Sequence, residues 1–320
     1  MLRRDFVVGS LLLLSCKKKS SKLSLAVIPK GTSHEFWKSV HAGAVKAARE
    51  LGNVDITWKG PLQENDLKGQ IDVVEGFVAQ GVKGILLAPL DDKGLVAPVK
   101  EAALAGIPVV IFDSDLQGSD HASFVATDNF AAGKMAGEAM GKLLDAKRNK
   151  LIVLRYEEGS ASTQKREDGF LEGIKAFPFV DLVSTNQYAG ATVESAQKAS
   201  ENLLAAHNDV HGIFCPNESS TFGMLMALRG TKLAGKVKFV GFDSSSALVD
   251  GLRKGELDGL VLQNPLNMGY LAMKTLASVI KGEKVEKRID TGAQVITKAN
   301  MDEPAQKDLL SPNLKEWLGE

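Results

Sequence analysis

The chain has 320 residues, of which 44% are hydrophobic and 24% are charged, with 39 Lys and Arg against 39 Asp and Glu. This length suits two lobes of ordinary domain size, each with its own apolar core. The zero net charge provides no general attraction for nucleic acid, which argues against a DNA- or RNA-binding protein. The 31 glycines fit a fold with many short turns between strands and helices.

The first residues have the composition of an export signal. Arg3 and Arg4 precede an apolar run at 7–14 that is too short to span a bilayer. The arginine pair also resembles the start of a twin-arginine signal, so export by the general secretory route and by the twin-arginine route both stay open. A chance basic start is the alternative to a targeting role.

The apolar run ends in a cysteine motif. Leu13-Leu14-Ser15-Cys16 resembles the lipobox of bacterial lipoproteins, in which Cys16 is lipidated and becomes the first residue of the mature protein. We therefore predict a signal peptide at 1–16 and a lysine-rich tether at 17–22. The other cysteine, Cys215, lies in an apolar run, so we expect a buried side chain and no disulfide framework.

Strands and helices alternate along the rest of the chain, in two series. The first series has predicted strands at 23–28, 54–58, 84–89, 107–112 and 124–127, with helices at 36–51, 65–80 and 96–105. The second has strands at 150–155, 182–186, 212–215, 237–242, 260–262 and 293–297, with helices at 133–144, 164–176, 193–206, 222–228 and 268–281. A further helix, with Asp243 and Ser244 as candidate caps and Leu248 and Leu252 at helical spacing, separates the strands at 237–242 and 260–262. Apolar strands that alternate with helices indicate parallel sheets covered on both faces. The prediction is an α/β fold with two doubly wound lobes.

Polar and aromatic side chains stand just past several predicted strands. The stretch 237–270 shows this most clearly, because Asp243 and Gln263 each follow an apolar run. In open α/β sheets, ligands bind at the carboxyl ends of the strands. The further residues in such positions are His34, Phe36, Trp37, Asp113, Ser114, Arg166 and Asn217. Carboxylates, amides and a guanidinium hydrogen-bond hydroxyls, and aromatic rings cover the C–H faces of a sugar ring, so the set indicates a polyhydroxylated ligand.

Several of these residues also have a purely structural interpretation, and Phe36 with Trp37 could simply start a helix and pack. Asp243 fits a helix cap and Gln263 a loop. Arg166 fits a solvated helix face, and Asn217 fits a turn after Pro216. The shared position at the same end of the strands favours the binding interpretation for the set as a whole.

The chain resembles the periplasmic sugar-binding proteins of ABC importers, whose ribose-binding-like type I fold also forms the ligand-binding core of LacI-type repressors. The resemblance covers residues 23 to about 298. The motifs that carry it are His34-Glu35-Phe36-Trp37, Ile107-Pro108-Val109-Val110-Ile111-Phe112-Asp113, Ala126-Thr127-Asp128-Asn129, Arg166-Glu167-Asp168-Gly169-Phe170, Cys215-Pro216-Asn217-Glu218, Val240-Gly241-Phe242-Asp243 and Gln263.

The resemblance implies a site and a domain organisation. Phe36 and Trp37 would sandwich the ligand ring, and the residues that would hydrogen-bond its hydroxyls are Asp113, Arg166, Asn217, Asp243 and Gln263. The lobes would comprise 23–127 with 264–290, and 128–263 with 291–320, joined by a three-segment hinge. A monomer without metal or cofactor would then deliver its sugar or polyol to an ABC permease and ATPase, held at the membrane by the lipid on Cys16.

Three positions depart from the ribose-binding pattern. His34 stands where those proteins have Asn, Ser114 where they have Arg, and Ala191 where they have a second-lobe Phe. The loss of an Arg and a Phe makes room and changes the hydrogen-bond donors. The departures favour a larger or differently substituted sugar or polyol over ribose, and a non-sugar polar solute stays open.

Competing functions are judged by the motifs that they require. The sequence has no G-x-S-x-G nucleophile elbow, no metal-spaced His and Cys cluster, and no G-x-G-x-x-G after its first strand, which argues against an enzyme. The segment before Leu23 is too short for the DNA-binding domain of a LacI-type regulator. A lipid-anchored sensor that feeds a membrane receptor or kinase stays open beside transport.

Overall fold

A computed structural model describes residues 22–319 of the protein. The predicted signal peptide, the lipidation of Cys16 and the tether up to residue 21 lie outside these residues. Within 22–319, no helix combines the length and the apolar character needed to cross a membrane.

The described residues alternate between strands and helices, as the sequence predicts. The strands are β1 Leu23–Ile28, β2 Val54–Trp58, β3 Gly84–Leu87, β4 Val109–Phe112, β5 Ser123–Ala126, β6 Asn149–Arg155, β7 Val180–Tyr188, β8 Gly212–Phe214, β9 Lys238–Phe242, β10 Gly259–Gln263, β11 Arg288–Asp290 and β12 Ala293–Ile296. The helices are α1 Glu35–Leu51, α2 Leu67–Gln80, α3 Val96–Leu104, α4 Asn129–Leu143, α5 Ala161–Ile174, α6 Val193–Ala206, α7 Glu218–Gly230, α8 Ser246–Lys254, α9 Pro265–Ile280, α10 Pro304–Leu310 and α11 Lys315–Leu318.

Two six-stranded sheets confirm the predicted fold class. The first has the order β2-β1-β3-β4-β5-β11, and its strand pairs are all parallel. The second has the order β7-β6-β8-β9-β10-β12 and is parallel except for β12, which runs antiparallel to β10. The two orders place β4 and β9 at equivalent positions. The lobes are therefore two copies of one doubly wound plan.

The chain passes between the sheets after β5, after β10 and after β11. The predicted lobe boundaries fall in these three connections, and their exact residues stay a prediction. The apolar periodicity does not predict β11, because this short strand has only one apolar residue, nor does it predict the short helices α10 and α11.

Polar caps start some helices earlier than the apolar spacing predicts. The predicted start at 133 moves to Asn129, because the Asp128 side chain accepts a hydrogen bond from the Ala131 N–H. The predicted start at 222 moves to Glu218 in the same way, with Asn217 as the cap. Cap chemistry rather than periodicity sets these boundaries.

The end of the chain reaches the first lobe. Leu310 at the end of α10 is buried in the core of the second lobe. Beyond it, α11 lies on α1, where the Arg49 guanidinium donates to the carbonyl oxygens of Glu316 at 3.0 Å and Trp317 at 2.8 Å. The Lys46 ammonium stands 5.6 Å from the centre of the Trp317 ring. The tail, predicted as part of the second lobe, thus spans both lobes.

Each sheet is buried on both faces. In β1, Leu25 and Val27 belong to the apolar cluster on one face, and Ala26 and Ile28 belong to the cluster on the other. All four side chains have no solvent exposure. Helices on both sides of a parallel sheet explain why these strands read as continuous apolar runs.

Glycines let α4 and α5 approach closely in the second lobe. A Cβ atom at Gly133 would clash with the main-chain oxygen of Arg166, and one at Gly169 would clash with that of Phe130. The missing side chains therefore bring the backbones of the two helices into contact. Because Gly133 packs against the main chain of Arg166 itself, this contact also helps to position Arg166.

We expect Gly133→Ala to lower the free energy of unfolding by about 1–3 kcal/mol, because the added methyl must push α4 away from α5. Gly76→Ala is the matched control, since a Cβ at that helical position meets nothing within 4 Å. The control should be neutral or stabilise by up to about 1 kcal/mol through higher helix propensity. Urea unfolding measures both variants, and equal midpoints would contradict the close approach.

Candidate ligand-binding site

The carboxyl ends of the two sheets face each other across a cleft that encloses a cavity of about 20 Å³. Its walls are formed by Lys30, His34, Phe36, Trp37, Glu64, Asp113, Ser162, Thr163, Arg166, Asn217, Glu218, Asp243 and Gln263. The structure thus brings together all but one of the ligand-binding residues that the sequence predicts. The exception is Ser114, which is fully buried and accepts a hydrogen bond from the Ser162 N–H at 3.2 Å.

Asp113 and Asp243 occupy equivalent positions, one directly after β4 and the other directly after β9. Both have left-handed backbone conformations, with φ of 61° and 66°. Their N–H groups bond the next strand of each sheet, at the carbonyl oxygens of Val125 and Val261. Such a conformation is uncommon for a residue with a side chain, although Asp adopts it more readily than most, and strained residues cluster at functional sites. It turns both carboxylates toward the cleft.

Arg166 is buried and held on several sides. Its Nε donates to the Asn129 side chain at 2.8 Å, and its Nη1 donates to the Pro216 carbonyl at 3.0 Å. The guanidinium also lies 4.1 Å from the centre of the Phe242 ring and 3.7 Å from the Asp243 carboxylate. The side chain is therefore a buried, oriented cation rather than a member of a solvated helix face.

Asp243 connects Arg166 to Gln263. Burial raises the pKa of Asp243, although the Arg166 cation and the Gln263 amide favour its charged form. Gln263 Nε2 donates to Asp243 Oδ1 at 2.7 Å. The cap of α8 is Ser245, whose side chain accepts from the Leu248 N–H, so Asp243 does not act as the helix cap.

Asn217 has a structural role in addition to its place in the cavity wall. Its Oδ1 accepts from the Ser220 N–H at 3.2 Å and so caps α7. Its Nδ2 donates to the Ser219 hydroxyl at 3.2 Å. The amide is thus held in place by the helix that it starts.

Glu64 is the centre of the first lobe's side of the cleft. It accepts hydrogen bonds from His34 Nδ1 at 2.6 Å, from Trp37 Nε1 at 2.7 Å and, across the cleft, from the Tyr156 hydroxyl at 3.0 Å. Burial disfavours the carboxylate, but His34, Lys30 and Trp37 outweigh this effect and lower the pKa of Glu64 to about 2. Burial likewise disfavours the imidazolium, but Glu64 outweighs it and raises the pKa of His34 to about 9. The two residues form a buried ion pair at neutral pH.

Lys30 is a second contact between the lobes. Its Nζ donates to the hydroxyls of Ser160 at 2.9 Å and Ser162 at 3.1 Å, and lies 3.8 Å from Asp113. Burial lowers the pKa of Lys30. Burial also raises the pKa of Asp113 to about 6, against the opposing effect of the Lys30 and Arg166 cations.

The aromatic pair of α1 meets edge to face. The ring centres of Phe36 and Trp37 lie 4.9 Å apart, and the ring planes are inclined by 87°. In this arrangement the two rings do not present parallel faces, as a sandwich around a sugar ring would require. The Trp37 ring packs edge-on against Phe112 as well.

Two glutamates join the lobes at the helix ends. The Glu218 carboxylate, on α7, accepts from the N–H groups of Glu35 at 3.1 Å and Phe36 at 3.0 Å, in the first turn of α1. Glu35 in turn accepts from the N–H of Ser246 at 3.2 Å and from its hydroxyl at 2.9 Å, at the start of α8. Each lobe thus supplies a carboxylate that caps a helix of the other lobe.

Sequence reasoning missed several residues of the cleft. Lys30 and Tyr156 stand just past β1 and β6, so the rule that selected Asp113 could have selected them too. Glu64 lies in the loop between β2 and α2, six residues past the end of the strand, so its position next to a strand end could not have selected it. Glu218 follows Asn217 and reads as an ordinary acidic residue in a first helical turn.

None of the described residues form a cluster of His, Cys, Asp and Glu that could hold a metal ion. The charged groups of the cleft instead pair with one another. The balance of cations and carboxylates suits an uncharged ligand with many hydroxyls better than an ion.

Comparison with known proteins places the chain in a family. Residues 25–284 match the periplasmic binding protein domain. The ribose import binding protein of Haemophilus influenzae is 31% identical over 279 residues, which cover 87% of this chain and 92% of that protein. The D-allose-binding periplasmic protein of Escherichia coli is 28% identical over 268 residues, covering 81% and 85%.

Solved structures agree with this assignment. A carbohydrate transporter solute binding protein from Agrobacterium radiobacter, in complex with D-arabinose, is 34% identical with a TM-score of 0.86, covering 91% of this chain and 99% of that chain. An ABC transporter solute binding protein from Agrobacterium vitis with bound D-fucose is 37% identical with a TM-score of 0.82, covering 90% and 99%. The protein is a member of the periplasmic binding protein family, with a ribose-binding-like type I fold.

Proposed function

We propose that the protein is an extracytoplasmic solute-binding protein that captures a sugar between its two lobes and delivers it to an ABC importer. The observation that carries the proposal is the buried set of paired polar groups between the carboxyl ends of two equivalent sheets. Relatives and structural neighbours named for ribose, allose, arabinose and fucose support the ligand class. They are binding proteins of sugar transport, which supports a role without catalysis.

Ligand capture requires the lobes to move. A cavity of about 20 Å³ holds about one water molecule, far less than a sugar ring. The contacts of Lys30 with Ser162 and of Tyr156 with Glu64 cross the same space. We infer that the lobes separate about the three connecting segments, and that sugar hydroxyls replace part of these contacts on closure.

The cleft refines the expected ligand. Ser114 stands where ribose-binding relatives are expected to carry Arg, but the Lys30 ammonium lies beside Asp113 and supplies a cation there. A cation therefore remains beside Asp113 without the Arg, but its N–H donors point in a different direction. We propose a pentose, a deoxyhexose or a hexose with a hydroxyl pattern different from that of ribose.

A thermal-shift screen of the purified protein tests this function. The panel contains pentoses, hexoses, polyols, nucleosides and amino acids. A ligand at 100 times its Kd adds about 2.7 kcal/mol of stability, which raises the unfolding midpoint clearly. We expect hits among the sugars, confirmed by calorimetry. Hits only among nucleosides or amino acids would overturn the sugar assignment.

We further propose that a lipid on Cys16 holds a monomeric protein at the membrane, beside the permease. The lipobox-like motif supports this anchor. In a bacterial host, the full-length protein should fractionate with membranes, and mass spectrometry should find an acylated Cys16. Cys16→Ser should release the protein in soluble form. An unmodified Cys16 would contradict the anchor.

A further inference from the structure

A second cavity, of about 300 Å³, adjoins the sugar cavity. The two share Phe36, Asp243 and Gln263 as a common wall. We call this second cavity the tail compartment, because the residues after α10 cover it. Its size is at the lower end of the range of small-molecule sites, and it is far larger than the space left in the sugar cavity.

The tail compartment has a fixed, largely apolar cover. Leu310, Leu314 and Leu318 line it from the tail, opposite Leu262 at the end of β10. The tail is tied at both ends, because Leu310 is buried in the second lobe and Arg49 on α1 binds the main chain of α11. The cover is therefore built into the fold.

The rim of the compartment is polar and exposed. Glu35, Lys38, Ser246 and Ser311 line it and are all exposed to solvent, whereas its floor at Gln263 is buried. A group inside the compartment would therefore contact the apolar side chains of the cover, with exposed polar residues around its rim.

The common wall holds a polar atom without a partner. Gln263 is 3% exposed, and its Nε2 is bonded to Asp243, but its Oε1 has no hydrogen-bond partner among the described residues. An unpaired buried oxygen is costly, and it marks a place where a donor from a ligand would be satisfied. Gln263 lines both cavities, so the point where they meet is the place for a ligand hydroxyl.

We propose that the tail compartment holds an apolar substituent of the bound sugar, so that the preferred ligand is a glycoside rather than a free monosaccharide. This inference rests on the proposed function. The sugar ring lies between the lobes, one of its hydroxyls donates to Gln263 Oε1, and the substituent packs against Leu262, Leu310 and Leu314. No covalent step is involved.

Calorimetry with paired probes tests the inference. The probes are D-ribose, D-arabinose, D-fucose and D-allose, each as the free sugar and as its methyl and phenyl glycosides in both anomeric forms. We expect at least one phenyl glycoside to bind about tenfold more tightly than its free sugar, because the ring buries apolar area under the tail. Leu314→Trp fills the compartment and should abolish this gain, with the free sugar and its phenyl glycoside measured on the same variant.

Two further variants keep the test sharp. Leu318→Trp fills the same space from α11 and should act like Leu314→Trp even if one of the two displaces the tail. Leu104→Trp is the matched control, because Leu104 is 80% exposed on α3 and lies outside both cavities. This control should keep the gain.

The outcomes separate the two proposals. Free sugars that bind as tightly as their glycosides, or a gain that survives both filling variants, would overturn the tail compartment alone. An absence of binding by every free sugar and every glycoside, together with no hit among the sugars and polyols of the thermal-shift panel, would overturn the sugar-binding function as well.

Discussion

Arg166→Ala is expected to weaken sugar binding by about a hundredfold or more, which corresponds to about 3 kcal/mol. The variant removes the cation beside the buried Asp243 and leaves the Asn129 amide oxygen and the Pro216 carbonyl without their donor. Breaking a buried pair by removing one partner costs about 3–5 kcal/mol, so the free energy of unfolding should fall as well. Calorimetry and urea unfolding measure the two effects.

Arg166→Lys separates charge from geometry. A lysine keeps the cation but lacks the planar fork that reaches Asn129 and Pro216 together, so we expect an intermediate loss. Arg253→Ala is the control for the loss of an arginine, since Arg253 pairs with Asp302 on the surface, with side-chain exposures of 56% and 61%. Exposed pairs contribute about 0–1 kcal/mol. If Arg166→Ala bound the sugar with normal affinity, Arg166 would not be a ligand-binding residue.

Glu218→Ala is expected to weaken binding by about tenfold to a hundredfold, chiefly through faster dissociation. The N–H groups of Glu35 and Phe36 lose their acceptor from the other lobe, and each such hydrogen bond contributes about 0.5–1.5 kcal/mol. The variant should leave the open form unaffected, because the lost bonds join the lobes. Stopped-flow dissociation of the best sugar measures the effect.

Glu194→Ala is the matched control, because Glu194 is an exposed acidic residue in the first turn of α6. Its loss removes only an interaction with the helix dipole, of about 0.3–1 kcal/mol, and should not change sugar binding. Equal dissociation rates for Glu218→Ala and the native protein would show that the carboxylate does not hold the lobes together.

The same carboxylate predicts a pH dependence. Burial raises the pKa of Glu218 from 4.5 to about 7 in the closed form, against the opposing effects of the His34 imidazolium and the two α1 N–H groups. If the open form has the ordinary value, the closed form binds the proton more tightly. Closure is then fully favoured below about pH 4.5, and this contribution is lost as the pH rises through about 7.

Sugar affinity should therefore fall from pH 5 to pH 8 through this group. Glu218→Gln removes the titration but keeps an acceptor oxygen, so it should flatten that part of the profile. The charged groups that act on Glu218, His34 and Asp243, are the same in both proteins, and so is Asp113, whose pKa burial raises to about 6. Parallel profiles for Glu218→Gln and the native protein would contradict the assignment to Glu218.

The sequence by itself determined the α/β class, the two lobes and most of the cleft residues. Continuous apolar runs such as 84–87, when they alternate with helices, are typical of strands in a sheet covered on both faces. Parallel strands align their carboxyl ends at one edge, so Asp113, Asp243 and Gln263 converge wherever such strands end. These features follow from local sequence pattern and from a general rule of sheet geometry.

Only the tertiary structure decided how these residues pair. Glu64 joins His34 to Tyr156, and Arg166 faces Asp243, because loops and helices distant in sequence meet at the cleft. The spacing of apolar residues carries no information about such contacts, because it indicates which face of a helix or strand is buried and not which segment covers that face.

The end of the chain shows the same limit. Its short polar helices have no strong apolar pattern, and Trp317 meets Lys46 and Arg49 of α1, which are distant from it in sequence. The tail compartment follows from that placement, and the sequence gives no sign of it. The local sequence pattern thus determines the helices, the strands and the ends of the strands. Contacts between segments that are distant in sequence determine the charge pairs and the cavities.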